Sequence, residues 1–230
     1  MFKNLTHVLK LTKRIIRIKW HNYKNKRYWT KYYKKHREMT TPSPFAEYCY
    51  NNFFVNTKDS SLLELGCGNG RDSIFFAKNG INVLGLDIVD EEVRYLNKRK
   101  LYSNLLFKCA DFSEYQKKEN YDFVYSRFTI HTISEDQEQS TLENSYKNLK
   151  NGGLLFIEAR SVKDDMFAKS HKISETEGET DHYRRFLIYD KFLENVNSAG
   201  FEIVESVEAQ GLAKHNDEDP FIVRVIAKKV

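Results

Sequence analysis

The sequence predicts an α/β protein with a three-layer αβα arrangement, in which helices cover both faces of a mostly parallel sheet, and a helical extension comes first. Short apolar runs of strand length alternate along the chain with segments of helical periodicity. The first apolar run ends in a glycine-rich turn that a helical pattern follows directly. At 230 residues the chain can form one α/β domain and an extension.

The strand, turn and helix at residues 61–88 organise the prediction. An apolar run over residues 62–65 stops at the turn 66–70, G-C-G-N-G, and the helical pattern after it ends at Asn79-Gly80. A second apolar run over 81–86 ends in Asp87, about 20 residues past the glycines, where an acid can bind ribose hydroxyls. Glycines let the backbone approach a ligand, and the N–H groups that begin the helix can hold an anion. This stretch predicts a nucleotide-type binding site.

Two motifs in this stretch resemble those of class I S-adenosyl-L-methionine (SAM) dependent methyltransferases: E-L-G-C-G-N-G-R-D at 64–72 and V-L-G-L-D at 83–87. The turn has the spacing G-x-G-x-G rather than the G-x-G-x-x-G of dinucleotide sites, which favours SAM. The resemblance covers residues 42–230 and implies a Rossmann-like sheet of seven strands with the last one antiparallel. It also implies S-adenosyl-L-homocysteine as product and a set of cofactor-binding residues: Tyr32, Glu64, Gly66, Cys67, Gly68, Asn69, Gly70, Asp72, Asp87, Ile88, Asp111, Phe112 and Ser126.

Some of these assignments have a structural alternative. Tyr32 or Tyr33 could reach the cofactor from a lid-like helix, or the aromatic residues there could pack the extension onto the core. By the resemblance Asp111 contacts the adenine amino group, but it could also cap a helix. Cys67 is interpreted as a small packing residue rather than a nucleophile.

The rest of the chain continues the αβ pattern. Ser43 and Pro44 predict the N-cap and first residue of a helix that runs to about Phe54. The next predicted elements are a helix at Glu91–Lys100, strands at Leu105–Cys109 and Tyr121–Phe128, a helix at Asp136–Leu149, a strand at Leu154–Ile157, a helix at Asp190–Ala199, and strands at Phe201–Glu208 and Phe221–Lys228. The polar segment Ser161–Thr180 is predicted to be a long loop, either functional or disordered.

Residues 1–41 are predicted to form a basic, aromatic extension. Residues 1–37 carry 13 Lys and Arg and no acid, whereas the other 193 residues carry 24 bases and 32 acids. The pattern over residues 2–20 predicts a basic amphipathic helix, which could pack on the domain, lie on an anionic membrane surface or dock on a partner protein, with RNA less favoured. No apolar run reaches membrane-spanning length and no signal peptide is visible, so we expect a cytoplasmic protein. The spacing of Cys49, Cys67 and Cys109 indicates neither a disulfide framework nor a metal site.

The chemistry of methyl transfer needs few residues, because the sulfonium already activates the methyl group and the enzyme mainly aligns the acceptor and excludes water. A hydroxyl acceptor also needs a base, and a neutral imidazole suits that role. His131, after the fourth strand, is the candidate base and His182 is its rival. Ser126-Arg127-Phe128 stands where amino-group methylases carry N-P-P-Y or D-P-P-Y, which counts against a base N-methylase.

A cluster of basic residues indicates the charge of the acceptor: Arg160, His182, Arg184 and Arg185. Arginine forks match phosphate and carboxylate groups, although these charges could instead balance Glu179 and Asp181 on the surface. The strings S-R-F-x-x-H at 126–131 and T-D-H-Y-R-R-F at 180–186 resemble those of small-molecule methyltransferases of bacterial capsule and surface-polysaccharide clusters. We therefore expect O-methylation of a small, polar, anionic acceptor, such as a sugar or a phosphoryl- or phosphoramidate-bearing glycan precursor. The predicted acceptor-binding residues are Arg127, Arg160, His182, Tyr183, Arg184 and Arg185.

Three alternatives remain open at this point. An RNA methyltransferase would use the basic arm on phosphates and would bind with steep salt dependence, whereas a small-molecule enzyme would stay active without residues 1–27. A tellurite or thiol methylase of the same fold would accept soft nucleophiles. An interaction module with a vestigial site would not bind SAM at all.

Overall fold

The computed structural model describes residues 24–57, 59–215 and 218–230. The predicted amphipathic helix over residues 2–20 lies outside these residues, and the domain boundary at residues 41–42 stays a prediction. The described strands, numbered β1 to β10, are Ser61–Leu65, Asn82–Asp87, Leu105–Cys109, Tyr121–Arg127, Leu149–Arg160, His171–Lys172, Glu177–Glu179, Tyr183–Arg185, Phe201–Ala209 and Ile222–Lys229.

Seven of these strands form the main sheet, in the order β3-β2-β1-β4-β5-β10-β9. The first five pair in parallel, and β10 lies antiparallel between β5 and β9. The predicted seven-stranded sheet with an antiparallel last strand is confirmed.

Helices pack on both faces of this sheet. The described helices, α1 to α7, span 24–35, Pro44–Cys49, Arg71–Lys78, Asp90–Arg99, Glu135–Asn148, Asp165–Lys169 and Tyr189–Ser198. In β1, Leu62 packs with α2 and α3 whereas Leu63 and Leu65 pack with α5 and α7, because successive side chains of a strand point to opposite faces. The three-layer arrangement is confirmed, and α1 is the helical extension.

The helix predicted from Pro44 to about Phe54 is present, as α2 followed by a π-helical turn at Tyr50–Phe54. The Ser43 hydroxyl caps it by accepting from the Ala46 N–H at 3.1 Å. Ser43 also donates from its backbone N–H and its hydroxyl to the carboxylate of Asp72 in α3, both at 2.7 Å. These hydrogen bonds therefore attach the start of α2 to α3, the helix that follows the glycine turn.

The prediction of a loop over residues 161–180 is wrong, because most of this segment is regular structure. It folds into α6 and two strands, and with β8 these form an antiparallel sheet in the order β6-β7-β8. Asp164 caps α6 by accepting from the Met166 N–H at 2.8 Å. The segment has few apolar anchors, chiefly Phe167 packed on Phe186, so it lacks the hydrophobic periodicity that predicts elements.

Strand β5 is also longer than its predicted core at Leu154–Ile157, since it starts directly after α5. Asn151-Gly152-Gly153, which lies between the predicted helix and the predicted strand, is part of the strand. Gly152 has a φ of +77°, and the pairing of β5 with β4 shifts register at this point. A glycine with positive φ accommodates such a bulge, which is why the strand continues through it.

Candidate functional site

A cavity of about 560 Å³ opens at the C-terminal edge of the main sheet. Its lining includes the residues that end or follow four parallel strands: Gly66 after β1, Ile88 after β2, Phe128 after β4 and Arg160 in β5. Ligands of open α/β sheets bind at this edge, because the loops between strands and helices meet there.

The glycine turn forms the floor of the cavity. Gly66, Gly68 and Gly70 have φ values of +72°, +55° and +78°, a region that residues with a Cβ rarely adopt. A Cβ on Gly66 would overlap the methyl group of Thr129. Glycine is therefore required for both the conformation and the close approach of the chain.

Asp87 lies beside this turn with its carboxylate held by backbone groups. Its Oδ2 accepts from the Gly68 N–H at 3.0 Å and its Oδ1 from the Val89 N–H at 2.9 Å. Burial raises the pKa of the Asp87 carboxyl, and these hydrogen bonds oppose that effect. The Tyr33 hydroxyl also lies 3.4 Å from Oδ2.

Two further carboxylates line the same end. Glu64 accepts from the Ser73 hydroxyl, and burial together with the charge of Asp72 raises the pKa of the Glu64 carboxyl well above its usual value. Asp72 accepts from the Tyr125 hydroxyl at 2.9 Å in addition to its bonds from Ser43. This end of the cavity is acidic.

Helix α1 closes one side of the cavity with an aromatic wall of Tyr28, Trp29, Tyr32 and Tyr33. The ring of Tyr33 is closest to the turn, because a Cβ on Gly68 would stand 3.0 Å from its Cε1. Tyr33 rather than Tyr32 contacts Asp87, and both tyrosines line the cavity. At the other end of the helix, the Tyr28 hydroxyl donates to Asp181 at 2.6 Å.

Three of the arginines that line the cavity also act on His131 through their charge: Arg127, Arg160 and Arg184. Arg160 contacts Asp164 at 3.1 Å and Glu218 at 2.9 Å, and Arg184 contacts Asp181 at 2.6 Å. These two arginines are thus paired with carboxylates.

The pairing of Arg127 is different, because it shares its carboxylate. Arg127 in β4, Glu158 in β5 and Arg224 in β10 are direct partners across three neighbouring strands. Arg127 Nε donates to Glu158 Oε1 at 3.0 Å, and Arg224 donates to Oε2 at 2.6 and 3.1 Å. All three side chains are at least nine-tenths buried. One carboxylate therefore serves two guanidinium groups.

His131 lies on a short 3-10 turn, Ile130–Thr132, and lines the cavity. The residue is 4% exposed, and its Nδ1 has no hydrogen-bond partner. Burial, and then the charges of Arg184 and Arg160, lower the pKa of His131 well below its usual value. The imidazole is therefore neutral at pH 7 and able to accept a proton.

Phe128 connects His131 to the arginines. Its φ of +52° is unusual for a bulky residue, and such conformations concentrate at functional sites. Its ring lies 5.6 Å from the ring of His131, and the guanidinium carbons of Arg127 and Arg160 stand 4.3 and 5.3 Å from its centroid. The structure thus groups the candidate base with Arg127 and Arg160, two of the arginines that line the cavity.

Most of the residues predicted from the sequence line this cavity. They are Tyr32, Glu64, Gly66, Cys67, Gly68, Asn69, Asp72, Asp87, Ile88, Phe112, Arg127, His131, Arg160 and Arg184. Six others do not line it: Gly70, Asp111, Ser126, His182, Tyr183 and Arg185.

Each of these six has a different environment. Gly70 shapes the turn, Ser126 is fully buried in β4, and the Asp111 carboxylate accepts from the Ser113 N–H at 2.9 Å in a turn rather than at the start of a helix. The His182 ring stacks on Tyr28, 4.0 Å between centroids, beside a separate cavity of about 200 Å³. Tyr183 donates to Glu177 at 2.6 Å, and Arg185 pairs with the buried Glu138. We leave these six out of the catalytic and acceptor contacts proposed below.

Sequence reasoning missed several lining residues, some in helices and others in loops. Thr129 carries no motif signal, but its hydroxyl donates to the Leu65 carbonyl at 2.9 Å and links the β4 loop to the turn. The other missed residues are Tyr28, Trp29, Met39, Arg71, Phe128, Thr132, Met166, Thr180, Asp181, Ala213, His215, Glu218 and Pro220. Phe128, Thr180 and Asp181 stand in the two strings that resemble capsule-cluster enzymes, but they were not chosen as site residues.

Comparison with known proteins decides the family. Residues 62–153 match a family described as "Methyltransferase domain". Residues 62–153 therefore form a methyltransferase domain, and the fold around them is that of class I SAM-dependent methyltransferases. SAM is the cofactor of this family, and the glycine turn, Asp87 and acidic cavity end of the domain suit its ribose and its positively charged methionine end.

The curated relatives that the chain resembles are also methyltransferases. The chain is similar to the probable SAM-dependent methyltransferase TehB of Haemophilus influenzae, with 30% identity over 107 residues, 46% of this chain and 37% of the relative. It is also similar to phosphoethanolamine N-methyltransferase 1 of Triticum aestivum, with 27% identity over 143 residues, 60% of this chain and 28% of the relative. The chain thus spans about a third of the length of these curated relatives.

A solved structure supports the fold of the methyltransferase domain. The 1,6-didemethyltoxoflavin-N1-methyltransferase of Burkholderia thailandensis, solved with bound S-adenosylhomocysteine, has 17% identity and a TM-score of 0.63 over 81% of this chain and 77% of its own. In the described part of our chain, no helix is long and apolar enough to cross a membrane. The described residues also contain no group of three or more His, Cys, Asp or Glu side chains placed to hold a metal ion.

Proposed function

We propose that this protein transfers a methyl group from SAM to an oxygen of a small anionic acceptor, such as a sugar or a phosphoryl-bearing precursor of a surface glycan. One observation carries the proposal: a single cavity joins the glycine turn and Asp87 to His131 and three arginines. A cofactor at one end and an acceptor at the other would meet beside His131.

The cofactor end fits SAM through its shape and charge. Asp87 would hold the ribose hydroxyls, while Glu64 and the turn 66–70 would hold the methionine end. The backbone can approach a ligand closely here, because the turn has no Cβ at Gly66, Gly68 or Gly70. Bound SAM supplies a methyl group that its sulfonium has already activated, so the remaining tasks of the protein are orientation, water exclusion and proton removal.

His131 would remove the proton of an acceptor hydroxyl. Its imidazole is buried and neutral, which is the form in which a general base accepts a proton, and its Nδ1 has no hydrogen-bond partner. The positive charges of Arg184 and Arg160 disfavour the imidazolium form. An anionic acceptor would offset those charges and strengthen the base when the acceptor is bound.

The pairing of Arg127 and Arg224 with Glu158 argues for an anionic acceptor. Two guanidinium groups on one carboxylate leave one excess positive charge, and these side chains are almost fully buried. A buried charge without a counterion is costly, whereas a phosphate or carboxylate on Arg127 would complete the ion pairs with good fork geometry.

The proposal is tested in two steps. Isothermal titration with S-adenosylhomocysteine should show micromolar binding, and absence of binding to the folded protein would refute the cofactor assignment. Methyl transfer should then be measured on sugar phosphates and nucleotide-linked sugars, with the matching neutral sugars as controls. If neutral sugars are methylated equally well, the anionic acceptor is refuted.

The variant that best tests the acceptor end is Arg127→Gln, because it leaves Glu158 and Arg224 as a one-to-one ion pair. We expect KM for the acceptor to rise at least about tenfold, the loss of one charge-assisted contact, while the affinity for S-adenosylhomocysteine changes less than twofold. The matched control is Arg94→Gln, which removes an exposed arginine that pairs within α4. An unchanged KM in Arg127→Gln would contradict the assignment.

N-methylation is the second candidate, because a curated relative is named phosphoethanolamine N-methyltransferase and its acceptor also carries a phosphoryl group. The same arginines would bind such an acceptor, and His131 would take a proton from its ammonium group. The chemical shift of the product methyl group distinguishes O-methyl from N-methyl. Thiols and tellurite belong in the same screen as soft acceptors.

The structure changes how the RNA alternative must be tested. Deleting residues 1–27 would remove Asn25, which donates to the Thr132 carbonyl beside His131. Deletion of residues 1–23 leaves this contact in place. A small-molecule enzyme should keep its activity in this deletion, whereas an RNA enzyme that relies on the basic arm should lose it and show a steep salt dependence. Contact of the arm with a membrane or partner protein, and a cytoplasmic location, stay predictions.

A further inference from the structure

The turn that carries His131 makes only a few hydrogen bonds of its own. The Thr132 N–H and hydroxyl both donate to the Thr129 carbonyl, at 2.9 and 2.7 Å. With no hydrogen-bond partner at its Nδ1, His131 takes its position from this backbone rather than from a side-chain network. Whatever holds the carbonyls of the turn therefore helps to set the position of the imidazole.

The first external contact comes from helix α1. Asn25 Nδ2 donates to the Thr132 carbonyl at 3.2 Å, across 107 residues of sequence. Asn25 is 4% exposed, although its neighbours Lys24, Lys26 and Arg27 are exposed. Burial of an amide is unfavourable unless it is hydrogen-bonded, so this contact satisfies the Nδ2 group of Asn25, whereas its buried Oδ1 has no hydrogen-bond partner.

The second external contact comes from the small sheet. Arg185 in β8 donates from Nε to the Ile133 carbonyl at 3.2 Å and pairs through its other nitrogen with Glu138 in α5. Asn195 in α7 donates to the second oxygen of Glu138 at 2.8 Å. The guanidinium is thus fixed by a buried, hydrogen-bonded pair, and it holds the carbonyl two residues after His131.

We infer that Asn25 and Arg185 are positioning residues for His131, which fix the base-bearing turn from two different elements. The inference rests on the proposed function, because it takes His131 as the base. Neither residue lines the main cavity, so each acts through the turn and not on the acceptor.

The contact from Asn25 also couples the turn to the cofactor end. Helix α1 carries both Asn25 and Tyr33, and the Tyr33 hydroxyl lies 3.4 Å from Asp87. A rigid helix that touches Asp87 at one point and the turn of His131 at another connects the two ends of the cavity. Displacement of α1 would release both contacts together.

The direct test observes the His131 imidazole by NMR on protein with 15N-labelled histidine. The chain has seven histidines, and the spectrum of His131→Asn identifies the signal of interest. Asn25→Asp keeps the side-chain volume but replaces the donor with an oxygen. Arg185→Lys keeps the positive charge next to Glu138 but lacks the fork that also reaches Ile133.

We expect both variants to shift or broaden the His131 resonances. Once an acceptor is known, kcat should fall at least about tenfold, because small displacements of a catalytic group are costly. KM and the affinity for S-adenosylhomocysteine should stay within twofold. The controls are Thr30→Ala, which removes a hydrogen bond within α1, and Lys191→Ala, which breaks an exposed ion pair of α7. Both controls should leave the His131 signals in place.

The inference is overturned if the His131 resonances of both variants coincide with those of the wild type while the proteins are folded. This NMR result does not depend on activity. The proposed function fails separately, if S-adenosylhomocysteine does not bind or if His131→Asn keeps full kcat. Loss of activity with unchanged His131 resonances would also contradict the positioning role.

Discussion

Replacing Asp87 with Asn tests the cofactor site most directly, because the two side chains have the same shape. The two carboxylate oxygens accept from the Val89 N–H and from the Gly68 N–H. An amide has only one oxygen, so its NH₂ group must face one of these N–H donors. The glycine turn would lose one of its two anchors on Asp87.

The expected loss of affinity follows from the same contacts. A hydrogen bond to a charged group contributes about 1.5–3 kcal/mol, and the ribose hydroxyls would lose their charged partner at Asp87. Since about 1.4 kcal/mol is a tenfold change, we expect S-adenosylhomocysteine to bind about 10- to 150-fold more weakly. Relaxation of the turn 66–70 would move the result toward the upper end.

Isothermal titration at pH 7 measures this loss, and thermal melting verifies that the variant is folded. Asp122→Asn is the matched control, because Asp122 lies in β4 at the opposite edge of the sheet and contacts Ser61 and Lys150. The control should bind with the affinity of the wild type. Binding by a folded Asp87→Asn within threefold of the wild type would refute the role of Asp87.

Three further predictions concern stability. Gly66→Ala should lower the free energy of unfolding by more than the roughly 1–2 kcal/mol expected for a non-glycine residue in the left-handed conformation, because the new Cβ overlaps Thr129. Urea unfolding measures this loss, and an unchanged midpoint would contradict the prediction. Glu158→Gln should destabilise the fold by about 3–5 kcal/mol by leaving two guanidinium groups buried, against less than about 1 for exposed Lys150→Ala, and equal effects would refute this. Burial lowers the pKa of His182 to about 4, below the unfolded value of about 6.5, so the stability of the wild type falls as the pH drops from 7 to 5. His182→Gln has no such group, so its loss of stability over this pH range should be about 2 kcal/mol smaller than that of the wild type. An identical loss in the two proteins would be contrary evidence.

The cofactor end was predictable because its determinants are local. Positive φ values at Gly66, Gly68 and Gly70 require glycine, and the apolar runs on either side have the lengths of buried strands. Asp87 ends the second run, and parallel strands bring their C-terminal ends to one edge. Sequence by itself therefore determined the fold class and the family resemblance, and it predicted that Asp87 lies beside the glycine turn.

The acceptor end was decided by tertiary structure. Adjacent residues of a strand point to opposite sides, so in β8 Arg184 reaches the cavity while Arg185 reaches Glu138. Both residues are predicted acceptor contacts from the sequence, because no strand is predicted at this position. Only the folded small sheet could separate them.

The pairing of Arg127 and Arg224 through Glu158 is also a product of the sheet. These residues are 31 and 66 positions from Glu158, and no local pattern relates them. They meet because β10 inserts antiparallel beside β5 in a register that places Arg224 opposite Glu158. The sequence determined which charges are present, and the strand register determined that two guanidinium groups share one carboxylate.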